Sequence, residues 1–333
     1  MKSIEFTEYG PPEVLQVKER EKPVPKDDEA LIKVQATSVN YGDLIARNFK
    51  AITPRKFNMP LLFWFFGKLY FGFRKPKITT LGSEYSGVIE SVGKAVSSFQ
   101  PGDPVFGYLG QAMGAYAEYI CVPESGVLAP KPANMSFEEA AAIPYGGIMA
   151  FYLLQKANIQ KDQKVLINGA SGSIGSAAIQ IAKHFGAEVT AVCGTPRLEY
   201  VKALGADRAI DYTKEDFTQG NETYDFILDV LGRASFSRCK RVLAPNGRLQ
   251  FVSFKMKQLL QMLMTSVAGK KKVICAIAPG RAEDLIAVKE LIEAGKIRSV
   301  IDKSFPLEQA AEAHRYAEEG GRRGPVVMRL TRE

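Results

Sequence analysis

Residues 164–175, with the sequence KVLINGASGSIG, constrain the fold of this chain more than any other stretch. Apolar residues 165–167 lie between turn-forming residues, which is the pattern of a buried parallel strand. Three glycines follow at a spacing of three, and apolar residues then recur as on one helix face. A second apolar run covers 188–193. The order strand, glycine turn, helix, strand predicts a dinucleotide site, in which a pyrophosphate meets the glycine backbone and the helix N-terminus. The alternative is a glycine turn needed only for tight packing.

The size and charge of the chain limit its class. Its 333 residues exceed the usual single hydrophobic core, so we expect two domains. Hydrophobic residues make up 46% and charged residues 24%, as in an ordinary globular protein. The net charge of +8 favours anionic ligands in general. Basic residues occur in short groups such as 270–272, without interleaved aromatic residues, so we expect no nucleic-acid partner.

The cysteine and histidine content bears on metals and on compartment. Four cysteines lie far apart without a CxxC pair, and two histidines complete no familiar zinc spacing. Scattered thiols are typical of a reducing compartment. The first residues lack the apolar core of a signal peptide, and no apolar run reaches the length of a membrane span. We therefore expect no metal and a cytoplasmic location.

Two patterns divide the chain. Up to residue 125, short apolar runs alternate with turn signals, as in a β-rich domain; beyond it, strands and helices alternate, which predicts a parallel, doubly wound α/β sheet. Ser136 and Glu139 have capping-box spacing and open a helix that Pro144 is expected to end. Besides the glycine-turn segment, strands are predicted over 31–39, 85–92, 103–107, 115–122, 188–193, 208–211, 225–230, 247–254, 273–278 and 326–330. Further helices are predicted over 147–156, 196–204, 234–243, 282–294 and 307–319, with a helix or loop over 255–268.

An aromatic segment interrupts the β-rich part. Residues 58–77 contain the only tryptophan, Trp64, with six further aromatic and four basic residues. The apolar core of the segment is too short to cross a bilayer. Three interpretations remain open: a lid lining an apolar substrate pocket, a loop buried at a subunit interface, or contact with a membrane surface.

The end of the second strand of the doubly wound part bears on the choice of cofactor. Sites that prefer NADH place Asp or Glu there to bind the ribose 2′-hydroxyl. This chain has Gly194, followed by Thr195 and Arg197, which can donate to a phosphate. Tyr212, after the third strand, could contact the same group. These residues favour NADPH; an exposed arginine at a helix start and a surface tyrosine are the alternatives.

Seven motifs, in order, resemble those of the medium-chain dehydrogenases/reductases of the zinc-free quinone-oxidoreductase type. They are SVNYGD (38–43), LGSEYSGVIESVG (81–93), PGDPVFG (101–107), AAIPYGGIMAFYLL (141–154), NGASGSIGSAAIQIAKHFGAEV (168–189), LGADRAIDY (204–212) and GPVVMRL (324–330). The resemblance implies a Rossmann dinucleotide-binding domain over 126–280 and a discontinuous, GroES-like catalytic domain over 1–125 and 281–333. It also implies a homodimer formed by edge pairing of the last Rossmann strand, here 273–278.

The resemblance also locates a candidate catalytic site. Zinc-dependent members carry a cysteine at the position of Asn40 and a histidine at that of Ser83, while Glu84 is retained. Without these ligands the site lacks the Lewis acid that polarises an alcohol or ketone oxygen. Hydride addition to a quinone or enone can instead rely on hydrogen-bond donors. We predict Asn40, Tyr41 and Tyr145 as these donors; the alternative for Asn40 is a turn residue that bonds the backbone.

Further residues receive roles from the same resemblance. Phe49 stands near where related enoyl reductases carry a tyrosine donor, which argues against acyl-thioester substrates. Asp43 is interpreted as structural, with a tail arginine such as Arg323 as a partner, and His184 and His314 as surface residues. The predicted cofactor-binding residues are Gly169, Ala170, Ser171, Gly172, Ser173, Ile174, Gly175, Gly194, Thr195, Arg197, Tyr212 and, toward the nicotinamide, Val230, Leu231, Phe251 and Ser253.

Together these features predict an NADPH-dependent, zinc-independent oxidoreductase that transfers a hydride to a small quinone or α,β-unsaturated carbonyl compound. Two alternatives remain. One is a reductase of aldehydes or ketones on the same fold, and the other is a protein that binds NADPH without catalysing a reaction.

Overall fold

The computed structural model describes residues 1–320 and 322–330 of the chain. The strands are β1 (Lys2–Glu5), β2 (Gln16–Glu19), β3 (Glu29–Val39), β4 (Glu84–Val92), β5 (Pro104–Tyr108), β6 (Tyr119–Pro123), β7 (Val127–Pro130), β8 (Lys164–Asn168), β9 (Glu188–Cys193), β10 (Arg208–Asp211), β11 (Tyr224–Asp229), β12 (Leu243–Phe251), β13 (Lys272–Cys275), β14 (Lys303–Pro306) and β15 (Val326–Arg329). The helices are α1 (Tyr41–Arg47), α2 (Leu61–Phe71), α3 (Phe137–Ala141), α4 (Pro144–Lys156), α5 (Ser173–His184), α6 (Leu198–Ala203), α7 (Phe236–Cys239), α8 (Met256–Val267), α9 (Ala282–Glu293) and α10 (Ala310–Glu318).

The chain divides into two compact units. The first contains Met1–Ile52, Gly67–Ile148 and the residues from Gly280 onward, and the second contains Thr53–Phe66 and Met149–Pro279. The domain boundaries predicted from the sequence fall after residues 125 and 280. The predicted boundaries stay a prediction, since the two divisions place residues 53–66 in different units and differ again over 126–148. Strand β7 and helix α3 lie in that stretch and pack on the sheet of the first unit.

The first unit is built on a seven-stranded sheet with the order β14-β15-β3-β4-β5-β7, to which β6 adds by pairing with β3. The strand pairs are antiparallel except for β14 with β15. Strand β3 pairs with β15 near its end and with β6 near its start. Its alternate residues Ala30, Ile32, Val34 and Ala36 are buried, as expected when one face of a strand lines the core. The predicted β-rich, GroES-like domain is thus confirmed.

The second unit contains a six-stranded, wholly parallel sheet with the order β10-β9-β8-β11-β12-β13. Numbered within the unit, this order is 3-2-1-4-5-6, the doubly wound arrangement of dinucleotide-binding folds. In the central strand β8, residues Val165, Leu166 and Ile167 are fully buried, because helices cover both faces of such a sheet. The predicted Rossmann-type sheet is confirmed.

The aromatic segment forms helix α2, which the sequence pattern did not predict. The residues before this helix belong to the second unit, where Met59 packs against the apolar core. Asn58 Nδ2 donates to the carbonyl of Leu231 (3.3 Å), and Lys255 Nζ donates to the carbonyl of Arg55 (2.8 Å). Among the described residues, no helix combines the length and apolar character that crossing a membrane requires.

Candidate active site

A buried carboxylate, Glu84, organises a polar cluster in the first unit. Its Oε1 accepts a hydrogen bond from the backbone N–H of Tyr145 (2.8 Å). Its Oε2 accepts from the hydroxyl of Ser38 and from Asn40 Nδ2 (3.3 Å). Burial raises the pKa of Glu84, and the three hydrogen bonds oppose that rise. The carboxylate therefore holds the start of α4 and the end of β3 at fixed positions.

Every hydrogen-bonding group of the Asn40 side chain has a partner inside this cluster. As the N-cap of α1, its Oδ1 accepts from the N–H groups of Gly42 (2.8 Å) and Asp43 (3.2 Å). Its Nδ2 donates to Ser83 Oγ (2.5 Å) as well as to Glu84. Both amide hydrogens are thus taken. The arrangement matches the alternative interpretation of Asn40 as a residue that bonds the backbone, and it also positions Ser83 and Glu84.

The other two predicted donors differ in their surroundings. Tyr41, the first residue of α1, is 66% exposed. Tyr145 is half-buried, and its ring centroid lies 5.7 Å from that of Tyr108. Burial, with a smaller contribution from Glu84, raises the pKa of Tyr145 to about 12, so its phenol stays protonated at neutral pH. Sequence reasoning did not identify Tyr108, whose only signal was its place directly after the PGDPVFG motif.

His314 is fully buried, so the prediction that it lies on the surface is wrong, whereas His184 is exposed as predicted. On its helix α10, His314 lies between two polar side chains. Arg47 Nη1 contacts its Nδ1 (2.9 Å), and Tyr116 Oη contacts its Nε2 (3.0 Å). A guanidinium only donates, so Nδ1 accepts, and the ring proton on Nε2 points to Tyr116. Burial and the charge of Arg47 lower the pKa of His314 well below its usual value.

The chain of hydrogen bonds that starts at Arg47 ends on Asp43. The hydroxyl of Tyr116 bonds this carboxylate, which also accepts from the backbone N–H groups of Asn40 and Gly82 (3.0 Å each). Burial raises the pKa of Asp43 to about 7, against the effect of these hydrogen bonds. The structural role predicted for Asp43 agrees with these contacts, but its partners are backbone groups and Tyr116 rather than Arg323.

The glycine turn of the second unit follows β8 and opens α5. Gly169 has φ +88°, a conformation that favours glycine. A Cβ on Gly175 would lie 2.3 Å from the carbonyl oxygen of Gly169, so the helix packs too closely for a side chain there. Gly172, the N-cap of α5, is different: a Cβ there would meet nothing closer than 3.7 Å. Packing within the protein therefore explains Gly175 but not Gly172, where close approach of a ligand would account for the glycine.

A second buried carboxylate, Asp229, shapes the loop after β11. Its Oδ1 accepts from Asn168 Nδ2 (2.9 Å) and from the N–H of Leu231 (3.2 Å). Burial raises the pKa of Asp229. This loop lies against the glycine turn, since a Cβ on Gly169 would be 3.0 Å from Leu231 and 3.4 Å from Val230. The structure thus brings together the predicted pyrophosphate and nicotinamide parts of the cofactor site.

The remaining residues predicted to bind the cofactor are unequally accessible. The side chain of Phe251 is fully buried in the apolar core, so only its backbone can meet a ligand, whereas Ser253 is half-buried. In the turn itself, the half-exposed residues are Ser171 and Ser173, and the buried ones are Ala170 and Ile174.

An acidic residue that the sequence pattern did not identify lies next to the end of β9. Asp211, at the end of β10, accepts from Thr195 Oγ1 (2.5 Å) and Thr213 Oγ1 (2.7 Å). These hydrogen bonds lower the pKa of Asp211, so it is ionised. Thr195 has therefore already donated its hydroxyl hydrogen. Arg197 is half-buried and Tyr212 is 61% exposed, and both flank the same strand end.

These features define a dinucleotide-dependent oxidoreductase fold. Comparisons with known proteins identify the family to which the chain belongs. Two family models match, the alcohol dehydrogenase GroES-like domain at residues 26–133 and the zinc-binding dehydrogenase at 204–328. The 2-methylene-furan-3-one reductase of Solanum lycopersicum is 32% identical, over 98% of this chain and 79% of its own. The chloroplastic NADPH-dependent alkenal/one oxidoreductase of Arabidopsis thaliana is 30% identical, with the same coverage.

Among solved structures, the quinone oxidoreductase from Coxiella burnetii matches with a TM-score of 0.83 and 28% identity, over 99% of each chain. The chain therefore belongs to the quinone-oxidoreductase-like family of medium-chain dehydrogenases/reductases. A nicotinamide cofactor and a small-molecule substrate are properties of this family.

One of the family models is named for zinc, but the residues of the first unit do not fit that metal. Zinc in proteins is bound by thiolate, imidazole and carboxylate groups. Asn40 and Ser83 offer a neutral amide and a hydroxyl that hydrogen-bond each other, and both oxygens of Glu84 already have donors. In the part of the chain that the structure describes, no group of three or more His, Cys, Asp or Glu side chains could hold a metal ion.

Proposed function

We propose that this chain, an NAD(P)H oxidoreductase of the medium-chain family, uses NADPH to reduce quinones or α,β-unsaturated carbonyl compounds without zinc. The observation that carries the proposal is the hydrogen bond between Asn40 Nδ2 and Ser83 Oγ (2.5 Å), at the two positions where zinc-dependent relatives carry ligands. Without a Lewis acid, the acceptor itself must delocalise the negative charge that develops during reduction. Quinones and enones do so by conjugation, and relatives named as quinone and alkenal oxidoreductases support the same substrate class.

The nicotinamide, when bound, supplies a hydride to the electron-poor carbon of the acceptor. The part of this chain is to stabilise the acceptor oxygen as it gains charge. Tyr145 is the donor we assign, because its pKa of about 12 keeps the phenol protonated and Glu84 fixes its backbone N–H. Asn40 and Ser83 act through Glu84 as positioning residues. The proton that completes the product comes from solvent.

The preference for NADPH is assigned to Gly194, Arg197 and Tyr212. Gly194 adds no carboxylate of its own at the end of β9, where Asp211 is hydrogen-bonded to Thr195, and Arg197 supplies a positive charge beside that strand end. Thr195, which was predicted to help, has its hydroxyl committed to Asp211. Binding of the 2′-phosphate of NADPH would therefore depend on Arg197 and Tyr212.

We also propose that two copies of the chain associate through the second unit, as the resemblance implies. Strand β13 is the edge of the parallel sheet. Its outer N–H groups are not open, however: Val273 N donates to Thr265 Oγ1 (3.0 Å) and Cys275 N to Met262 Sδ (3.3 Å), both on α8. Edge pairing in a dimer thus requires that α8 give up these two hydrogen bonds.

The function is tested by turnover of the purified protein with NADPH or NADH. The acceptors are a benzoquinone, an alkenal, a saturated aldehyde and a ketone, each with and without a metal chelator. We expect oxidation of NADPH with the first two acceptors, unaffected by the chelator. Loss of activity with the chelator, turnover of only the saturated carbonyls, or tight NADPH binding without any turnover would each contradict the proposal.

Gly194→Asp is the matched variant for the cofactor preference. Gly194 has φ −85°, and the nearest atom to a Cβ there, Tyr212 Oη, lies 3.4 Å away, so the new side chain fits. We expect its carboxylate to raise the KM for NADPH about tenfold by charge repulsion and to lower the KM for NADH. Equal effects on both cofactors would remove this strand end from the phosphate site.

A further inference from the structure

Helix α2 turns an apolar face to solvent. Seven of its eleven residues are large apolar or aromatic side chains with exposed fractions between 43% and 62%. They are Leu61, Leu62, Phe63, Phe65, Phe66, Leu69 and Tyr70, and Phe73 follows just after the helix. A helix on the surface of a globular protein usually shows the reverse pattern, with polar residues outside.

The only charged residue of α2, Lys68, points inward. It is 6% exposed, and its Nζ donates to the carbonyl of Phe49 (2.7 Å) and lies 4.9 Å from the ring centroid of that residue. Phe71 also faces inward, with its ring centroid 5.0 Å from that of Phe49. On the same stripe, a Cβ on Gly67 would lie 2.8 Å from this ring. The inner face of the helix is thus fixed by specific packing, and the apolar outer face is a stable feature.

The chain segment that contains α2 carries charges of a single sign. Between Asp43 and Glu84 the sequence contains no acidic residue and eight basic ones, which are Arg47, Lys50, Arg55, Lys56, Lys68, Arg74, Lys75 and Lys77. Arg55 and Lys56 precede the helix, and three exposed basic residues follow it at positions 74, 75 and 77. Aromatic and aliphatic side chains flanked in the sequence by basic residues match the boundary between the acyl chains and headgroups of an anionic bilayer.

We propose that α2 docks this protein on an anionic membrane surface, with the helix lying flat in the interface. Its eleven residues extend about 16 Å, about half of what is needed to span a bilayer. Tyr9 Oη holds the end of the helix through the carbonyls of Phe71 (2.5 Å) and Gly72 (2.9 Å), so the face is presented rigidly. Of the three interpretations of the aromatic segment, these observations favour the membrane surface.

A second copy of the chain fits this face less well than lipid does. A symmetric contact between two copies brings the same surface patch of each together, and the flanking cations would then repel one another. Anionic headgroups neutralise them instead. The proposal does not depend on the reaction that the protein catalyses.

The test uses the full-length protein and two kinds of vesicle, pure phosphatidylcholine and phosphatidylcholine with about one-third phosphatidylserine. We expect co-sedimentation with the second kind, weakened by added salt. Trp64, the only tryptophan of the chain, lies in α2, so tryptophan fluorescence excited at a wavelength that tyrosine does not absorb reports on this helix. Its emission should shift to shorter wavelength with anionic vesicles and be quenched by brominated lipid. Absence of both binding and quenching would overturn the proposal.

Three variants assign the binding to this face. Leu62→Gln with Phe66→Gln removes two exposed apolar groups of one helix face and should weaken partitioning about tenfold. Arg74→Gln with Lys75→Gln should weaken it about 10- to 30-fold, and only on anionic vesicles. The matched control, Val24→Gln with Ile286→Gln, removes two exposed apolar groups elsewhere in the chain and should bind as the wild type does.

Light scattering without lipid completes the test. If L62Q/F66Q lowers the oligomeric state while vesicle binding persists, the face is a contact between copies and the proposal is wrong. If the control weakens partitioning as much as L62Q/F66Q does, the binding is not specific to α2, and the proposal is wrong as well. Circular dichroism and NADPH binding of each variant confirm that it is folded.

Discussion

At the scale of single residues, Tyr145 combines a protonated phenol with a backbone that Glu84 fixes. Tyr145→Phe keeps the ring that packs beside Tyr108 and removes only the hydroxyl. We expect kcat with a quinone or enone to fall about 100-fold, as when one donor to a developing oxyanion is lost. The KM for NADPH should remain unchanged. Steady-state kinetics measures both.

Tyr41→Phe is the control, because Tyr41 was predicted as a donor alongside Tyr145 but is mostly exposed. Its kcat should stay within about twofold of the wild type, a change too small to indicate a lost transition-state interaction. The reverse ranking of the two variants would transfer the donor role to Tyr41. Similar losses in both would indicate two donors acting on one oxygen.

At the scale of elements, His314 connects α10 to α1 through Arg47. Since burial lowers the pKa of His314, the unfolded chain binds a proton below about pH 6.5 that the folded chain does not. Stability from this residue is therefore complete above that pH and lost as the pH falls. The raised pKa values of Asp43 and Glu84 act in the opposite direction, since folding there favours the protonated form.

His314→Gln separates these effects, because an amide can still accept from Arg47 and donate to Tyr116. We expect the wild type to lose stability relative to this variant by about 1 kcal/mol for each pH unit below pH 6.5. Urea unfolding at several pH values measures the difference, in which the contributions of the two carboxyls cancel. His184→Gln, at an exposed imidazole, is the control. A difference independent of pH would show that His314 is not held neutral.

Regular elements with strong local signals were predictable from the sequence. Strands β9 and β10 have the predicted bounds, and the capping box of Ser136 and Glu139 is present. The helix opened by this capping box was predicted to end at Pro144, but it ends at Ala141. Pro144 starts α4 instead, because proline also suits the first turn of a helix. Helix α7 covers only Phe236–Cys239 of the predicted 234–243.

Within the candidate site, the sequence could indicate which residues lie there but not which hydrogen-bond partners each of them has. Asn40 was correctly placed at the end of a strand, but its amide donates to Ser83 and Glu84, which lie at the start of a different strand. His314 stands in a helix with many charged residues, so local pattern suggested the surface. Its partners Arg47 and Tyr116 are 267 and 198 residues away in the chain, and only the tertiary fold brings them together.

At the scale of the whole molecule, the hydrogen bonds between α8 and the outer edge of β13 should limit the association of two copies of the chain. Thr265→Ala removes the acceptor of Val273 N and leaves that N–H open for a second chain. We expect the dimer to tighten about fivefold, which corresponds to about 1 kcal/mol for one hydrogen bond. Analytical ultracentrifugation over a range of concentrations measures this change.

Ser266→Ala is the matched control, since that hydroxyl bonds only within its own helix, to the carbonyl of Leu263 (2.7 Å). It should leave association unaltered. A dimer that responds equally to both variants, or to neither, would not use the edge of β13. The predicted cytoplasmic location stays a prediction, and one of the relatives compared above is chloroplastic.

The pairing of β3 with β15 joins the beginning of the chain to its end. During synthesis on the ribosome, all strands of the second unit emerge before β15 does. We therefore expect the second unit to fold first, while the edge of β3 that pairs with β15 is still unpaired. Nascent chains released just before β15 should then protect residues 149–279 from protease but not residues 1–52. A stop codon late in the coding sequence would thus expose the earliest part of the protein to degradation.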